Sequence, residues 1–398
     1  MKICIVIGKD YPHTGTYREV KVLLNKKYKI AIISKIRKDN NKKKYEVSNG
    51  LIIHRIKSKV KKEKTIFFRI IRLIQEKIMI IDLVRKEKPG VLHFQELTMT
   101  MLGIFLKISL RKPLIFDMRE NYPELTWLSK KKKTNLLKLK VGFLKIFEKI
   151  ACKMSDHILV VVDESKERLV NLGIEDKKIT VVMNCEIKEN FSENKINMKL
   201  KKDLESKFSS NFVFGYIGGF GYHRGLDVAI KSLRYIKKEI KNAKLIIVGN
   251  GKNYNELLDL VKKLHLENDV IFTGFVPHDH LPTYVSIFDI GIIPHISNPH
   301  VDSTIPNKIW QYMLMEKPQV VSSAPPLKRI ATKTKCGLVF KSGDSKSMAE
   351  KIITLAKNRN LMQELGKNGR NAAVKRYNWD KESKKLVEIY REIEKRIC

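Results

Sequence analysis

Short apolar runs alternate with amphipathic stretches along most of this chain, and the alternation occurs twice. In the first half, strand-like runs fall at Lys2–Ile7, Lys29–Ile33, Leu51–Ile56, Gly90–His93, Pro113–Asp117, His157–Val162 and Ile179–Val182. Helix-like runs separate most of them, at Tyr17–Lys27, Ile66–Arg85, Thr98–Leu110, Leu136–Met154 and Glu164–Leu172. A second set of strand-like runs follows at Phe212–Ile217, Lys244–Val248, Val270–Phe272, Ile287–Ile293, Gln319–Ser322 and Gly337–Phe340, again with helical stretches between. Between the sets, Glu186–Ser210 is polar and lysine-rich with no clear apolar period, and reads as a connection. Strands joined through helices close into parallel sheets covered on both faces. The expectation is therefore an α/β chain of two tandem Rossmann-like, doubly wound domains dividing near residue 190. Ligands of such sheets sit outside the carboxyl ends of the strands, and a cleft between two facing sheets is the default site.

Composition narrows the class. The chain has 398 residues, 43% of them hydrophobic, which is ample for two packed cores and argues against gross disorder. Cys4, Cys152, Cys185, Cys336 and Cys398 are scattered with no Cys-x-x-Cys, so neither a disulfide framework nor a zinc site is implied. The first residues run straight into a strand, which reads as no signal peptide, and no apolar run reaches the ~18 residues of a membrane span. These features lead to an expectation of a cytoplasmic protein.

The formal charge of +37 favours anionic partners. No nucleic-acid-binding motif accompanies it, so specific nucleic-acid recognition is not expected. In two stretches, apolar and basic residues interleave. Arg55–Lys88 mixes Lys61, Lys62, Lys64 and Arg72 with Phe67, Phe68 and Ile74; Trp127–Lys149 carries Lys130–Lys133 followed by Leu136, Phe143 and Phe147. Each reads either as an interfacial helix on an anionic membrane or as a core-packed helix with a basic outer face.

Asp302–Ser323 reads as a loop, a short helix, a turn and a buried strand. Ser303 or Thr304 is placed to cap the helix and Pro306 suits its first turn. Ile305, Ile309 and Met313 form an apolar stripe, while Thr304, Asn307, Lys308 and Gln311 share another face. That polar face is either an anion site with hydroxyl-reading groups or a solvated surface. Upstream, Tyr216–Asp227 follows a strand and opens a helix. Its Gly218, Gly219 and Gly221 permit close backbone approach, and Arg224 suits a phosphate. His278-Asp279-His280 is a short His-x-His with no third clear metal ligand and reads as a solvated loop. His93 reads as a packed strand residue, with an acceptor-side role as the alternative. Neither a strand-end Asp-x-Asp nor a Gly-x-x-x-x-Gly-Lys-Ser/Thr is present, so no metal, no cofactor and no P-loop is expected.

Taken together, these segments resemble a GT-B glycosyltransferase of the retaining family 4 (glycosyl transferases group 1). The resemblance covers nearly the whole chain. Tyr11–Gly15 resembles the family's first glycine-bearing loop, Asp117–Glu124 its Asp-x-His-Glu segment, and Val181–Asn184 its Val-x-Pro-Asn segment. Gly218–Asp227 resembles its diphosphate loop, Ile247–Gly251 and Phe272–Val276 the strands leading to the base pocket, and Ile305–Met313 its nucleotide-sugar helix. Trp379 and the last helix resemble the segment that returns to the first domain. The implied layout is an acceptor-side domain at 1–190 with a crossover helix at 380–398, and a nucleotide-sugar domain at 191–379.

The resemblance implies a transferase acting on a nucleotide-sugar donor and a saccharide or lipid-linked acceptor, peripheral at the inner face of the cell membrane. It makes Arg224, Lys308 and Arg119 the candidate catalytic residues. Gly15, Gly218, Gly219, Phe275, Val276, Asp302, Ser303, Thr304, Ile305, Asn307 and Gln311 are the candidate donor-binding residues. Four positions depart from the family pattern: Ser303 and Gln311 stand where glutamates are usual, Arg119 where a histidine is usual, and Gly219 where the diphosphate loop usually has its leading arginine. Arg119 cannot serve as a general base near neutral pH but can clamp an anion. Those departures leave open a degenerate, non-catalytic protein, and the shared layout leaves open an isomerase like the nucleotide-sugar 2-epimerases.

Overall fold

The computed structural model describes residues 1–12, 14–36, 43–57, 66–129 and 133–397. His13, Lys61, Lys62, Lys64 and Lys130–Lys132, used above, lie outside the described residues. The chain forms two compact units, Met1–Met183 with Glu382–Cys398, and Asn184–Lys381. The change of unit thus falls a few residues before 190.

The first unit holds β1 (Lys2–Val6), β2 (Lys29–Lys35), β3 (Tyr45–Ser48), β4 (Leu51–Ile56), β5 (Val91–Gln95), β6 (Leu114–Met118), β7 (His157–Val160) and β8 (Ile179–Val181). Their order is β3-β4-β2-β1-β5-β6-β7-β8. Every pairing is parallel except β3 with β4. Sequence reading missed β3, because its four residues are largely exposed and too few for their alternation to stand out. The buried strands β1, β5 and β6 are near-continuously apolar, as strands covered on both faces must be. The last helix, Trp379–Ile397, joins this unit from Glu382 onward. Its Glu382 accepts from the Met183 N–H at 2.8 Å, and its Glu394 accepts from the Tyr28 hydroxyl at 3.3 Å.

The second unit holds β9 (Phe212–Ile217), β10 (Ala243–Val248), β11 (Val270–Gly274), β12 (Ile290–Ile293), β13 (Gln319–Ser322) and β14 (Gly337–Phe340), all parallel. The order β11-β10-β9-β12-β13-β14 reverses direction between β9 and β12. A crevice opens at such a reversal, because the connections leave the two neighbouring strands on opposite faces. In the first sheet the same reversal falls between β1 and β5.

The stretch read as a plain connection contains a helix, Met198–Phe208. Asn197 caps it by accepting from the Leu200 N–H at 3.0 Å. Leu200, Leu204 and Phe208 form a thin apolar stripe, too sparse among lysines to stand out in sequence.

Candidate functional site

The short helix anticipated within Asp302–Ser323, with Pro306 in its first turn, starts later, at Lys308, and runs to Leu314; every residue of it is buried. Ile305, Ile309 and Met313 line the core as expected. The polar face is not solvated, since Lys308 and Gln311 are each only 6% exposed. The Tyr312 hydroxyl pins the helix to β9, accepting from the Ile217 N–H at 3.1 Å and donating to the Gly215 carbonyl at 3.2 Å. Trp310 stacks on Tyr377 with ring centroids 5.2 Å apart.

Neither Ser303 nor Thr304 caps this helix. Their hydroxyls turn back and donate to the Pro299 and His300 carbonyls at 2.7 and 3.0 Å. Their N–H groups close a tight turn onto His300 and Val301, so they are not free for an anion. Asp302 is held by the Ser297 hydroxyl, which donates to its carboxylate at 2.8 Å. Burial, opposed by Ser297 and the Asn298 backbone, raises the Asp302 carboxyl above its usual value.

The carboxyl ends of β9 and β12 supply the rest. Gly218 follows β9 with φ +127°, and a side chain there would lie 3.4 Å from Lys308 Nζ. Gly225, at φ +65°, opens the next helix, Leu226–Glu239. A Cβ on Gly225 would sit 1.8 Å from the Pro294 carbonyl oxygen, so the backbone demands glycine. Gly219 has no such crowding: a Cβ there would be 3.9 Å from the Asn250 carbonyl.

Lys308 Nζ lies 3.9 Å from the centroid of the Tyr216 ring and 3.4 Å from His295 Nε2. Arg224 Nη1 approaches the same His295 Nε2 at 3.3 Å. Two cations therefore converge on one imidazole, and neither forms an ion pair with a carboxylate among the described residues. Burial, reinforced by Arg224, pushes the Lys308 ammonium well below its ordinary value. Burial and then Arg224 and Lys308 hold His295 well below its usual value. His223 is pushed down to about 3 by burial, Arg224, His300 and Lys308. The site is a concentrated positive field, its imidazoles neutral and able to accept, built to receive an anion.

Sequence reading missed His295 and His300. The available signal was a polar residue just past the end of a buried strand, here β12. Gln311 donates from Nε2 to Glu186 at 2.9 Å, and Glu186 is completely buried. No sequence signal links two residues so far apart. Phe275 and Val276 follow β11, Phe275 being 81% exposed and Val276 half-buried. Asn307, half-buried, precedes the helix without making a side-chain cap.

In the first unit Arg119 is not the open clamp expected. Its Nε donates to Asp117 at 2.7 Å and its Nη2 to Glu19 at 2.5 Å. Burial alone would raise Asp117, but Arg119 and His93 hold it below its usual value; burial raises Glu19 despite Arg119. Glu19, His93 and Asp117 place potential ligand atoms within 4.8 Å of one another. With both carboxylates already bonded to the Arg119 guanidinium, the cluster reads as an ion-pair network and not as a metal centre. His93 is buried and bonds the Tyr390 hydroxyl. A small cavity beside the network is lined by Ile7, Lys9, Thr16, Gln95, Glu96, Arg119, Glu120 and Tyr122, at the β1/β5 reversal. Gly15 lies buried near the start of the helix Thr14–Asn25, which follows β1.

Two tandem doubly wound parallel-sheet domains, the second with cations gathered at its switch point, define the GT-B class. Residues 198–372 match the glycosyl transferases group 1 and residues 14–185 match glycosyltransferase family 4. An uncharacterized glycosyltransferase of Methanocaldococcus jannaschii is 24% identical over 73% of this chain and 71% of its own length. The capsular polysaccharide biosynthesis glycosyltransferase CapM of Staphylococcus aureus is 23% identical over 59% of this chain and 61% of its own. Among solved structures, sucrose-phosphate synthase of Thermosynechococcus elongatus superposes with a TM-score of 0.82 at 14% identity, covering 99% of both chains. Anabaena HepE, solved in complex with UDP, gives 0.72 at 16% identity over 98% of this chain and 100% of that one.

Proposed function

We propose that the chain transfers a hexosyl or N-acetylhexosaminyl group, with retention, from a UDP- or GDP-linked donor to a saccharide or lipid-linked acceptor. The carrying observation is the convergence of Arg224 and Lys308 on His295 without a carboxylate partner among the described residues. Two cations held so close repel each other, and a diphosphate between them relieves that repulsion. The complex of Anabaena HepE with UDP supports this choice of anion.

In this reading the diphosphate of the donor lies on Arg224 and Lys308, with Gly218 allowing the backbone to approach. As the sugar–phosphate bond breaks, the negative charge growing on the leaving diphosphate meets cations already in place, so little reorganisation opposes the step. The leaving diphosphate helps take the acceptor proton, so no strong protein base is obligatory. No resident metal or cofactor is invoked, because the cations supply the charge. The acceptor is assigned to the first unit, where Arg119 holds Asp117 and Glu19 in a fixed network beside the small cavity.

The membrane part of the reading rests on two helices of the first unit. Ile66–Glu87 exposes Phe67, Ile70 and Ile74, and Asn135–Met154 exposes Leu136, Phe143 and Ile146. With a formal charge of +37, such faces suit an anionic lipid surface, which points to a lipid-linked acceptor in cell-surface polysaccharide or glycolipid assembly at the cytoplasmic face. No helix among the described residues is long and apolar enough to cross a membrane. The capsular polysaccharide relative supports the polysaccharide part of this reading.

A thermal-shift screen over nucleotide sugars identifies the donor, since a ligand at 100 times its Kd adds about 2.7 kcal/mol of stability. With that donor, Arg224→Ala is expected to slow transfer roughly 100-fold. Wild-type turnover in Arg224→Ala would refute the assignment.

A further inference from the structure

Gln311 sits one helical turn after Lys308, on the same face of the buried helix Lys308–Leu314. Its amide is not free to turn. Nε2 donates to Glu186 Oε2 at 2.9 Å, and a carboxylate at that position can only accept. The carbonyl end of the amide therefore faces away from Glu186, and Oε1 receives no hydrogen bond among the described residues. Glu186 is itself held. Its Oε1 accepts from the Ile187 N–H at 3.0 Å and from Asn190 Nδ2 at 3.4 Å, and His278 Nε2 lies 3.6 Å from Oε2.

We propose that Glu186 is a positioning residue that fixes Gln311 as a hydrogen-bond acceptor, so that the pair reads a hydroxyl of the nucleotide whose diphosphate lies on Arg224 and Lys308. The proposal rests on the donor-site reading above. It also accounts for the amide at position 311. A glutamate there would face the buried Glu186 carboxylate at hydrogen-bond distance, and two carboxylates cannot both stay charged so close together. The negative charge has been moved one residue back from the ligand, and the amide carries its polarisation forward to Oε1.

Glu186→Gln separates positioning from mere packing. The new amide can keep its oxygen on Ile187 and Asn190 while its nitrogen meets Gln311. Two donors then face each other, and the relief is for the Gln311 amide to rotate and present its nitrogen to the ligand. The fold keeps its hydrogen bonds and the site exchanges an acceptor for a donor.

The experiment is calorimetric titration with UDP, GDP and ADP, followed by the 2′,3′-dideoxy analogue of whichever binds tightest. Wild type is expected to prefer the ribonucleotide by about tenfold or more. Glu186→Gln is expected to lose that preference with little change in melting temperature. The double exchange Glu186→Gln/Gln311→Glu reverses the hydrogen bond and again presents an oxygen, so it is expected to restore the preference. It also serves as the test should Glu186→Gln fail to fold. The positioning role is overturned if Glu186→Gln keeps the wild-type preference, or if a folded double variant shows none. Arg224→Ala is the control on the underlying reading. If it binds the diphosphate as wild type does, the donor site itself is misplaced. If it loses binding while Glu186→Gln keeps the wild-type preference, only the positioning role falls.

Discussion

Lys308→Met tests whether this lysine serves ligand binding at the expense of the fold. Lys308 is 6% exposed, and its ammonium group has no carboxylate partner among the described residues and is further disfavoured by Arg224. Methionine has a similar length and no charge, and it can lie along the Tyr216 ring where the lysine stem now runs. Replacing a buried charged group by a well-packed apolar one commonly stabilises by about 1–4 kcal/mol. At the lower half of that range, the melting temperature of a unit of this size should rise by roughly 2–10 °C. The pH dependence has a definite sign. The folded-state pKa of Lys308 lies below the ordinary 10.5, so the unfolded chain binds the extra proton and wild-type stability rises with pH between the two values. The advantage of methionine is therefore greatest at the acid end of that window and shrinks as pH approaches 10.5. Binding moves the other way. A diphosphate raises the lysine pKa, so at pH values above the folded-state pKa of Lys308 wild type takes up protons on binding UDP or GDP, and the variant should bind at least tenfold more weakly without that lysine-linked uptake. Differential scanning calorimetry at several pH values reads the first effect, and titration calorimetry in buffers of different ionisation enthalpy reads the second. A lower melting temperature with unchanged nucleotide affinity would refute the reasoning and make Lys308 structural.

Two further outcomes follow from the first unit. Arg119→Leu leaves Asp117 and Glu19 buried without their guanidinium and should destabilise the protein by about 3–5 kcal/mol in urea unfolding, with partial recovery at acid pH as the carboxylates protonate; an unchanged midpoint would remove Arg119 from the network. Ile74→Glu with Phe143→Glu should leave the melting temperature within about 1 °C, because both side chains are 52% exposed, yet lower retention on anionic liposomes at least tenfold. Equal retention would separate the exposed faces from any lipid surface.

Much of the fold is decided locally. A strand buried on both faces must be apolar along its length, and a covering helix must repeat its apolar side every three to four residues. Those demands are written in runs such as Lys2–Ile7 and Leu226–Ile240, so the two doubly wound units were legible in sequence. The misses were elements with weak local demands. β3 is an exposed edge, and Met198–Phe208 has only a thin stripe among lysines. Within the site, Gly218, Arg224 and Lys308 were legible because glycine and a cation beside a strand end carry chemistry in their identity and position.

What only tertiary structure decided was which groups meet. The sequence could not tell a solvated Gln311 from one buried against Glu186, nor an open Arg119 from one neutralised by two acids. It offered Ser303 and Thr304 as caps, but the backbone spends their hydroxyls on the turn before the helix. The physical reason is common to all four. Periodicity records which face of an element is dry, which is a property of neighbours along the chain. A polar side chain in a dry place must find a partner, and that partner is supplied by folding from wherever in the sequence it happens to lie.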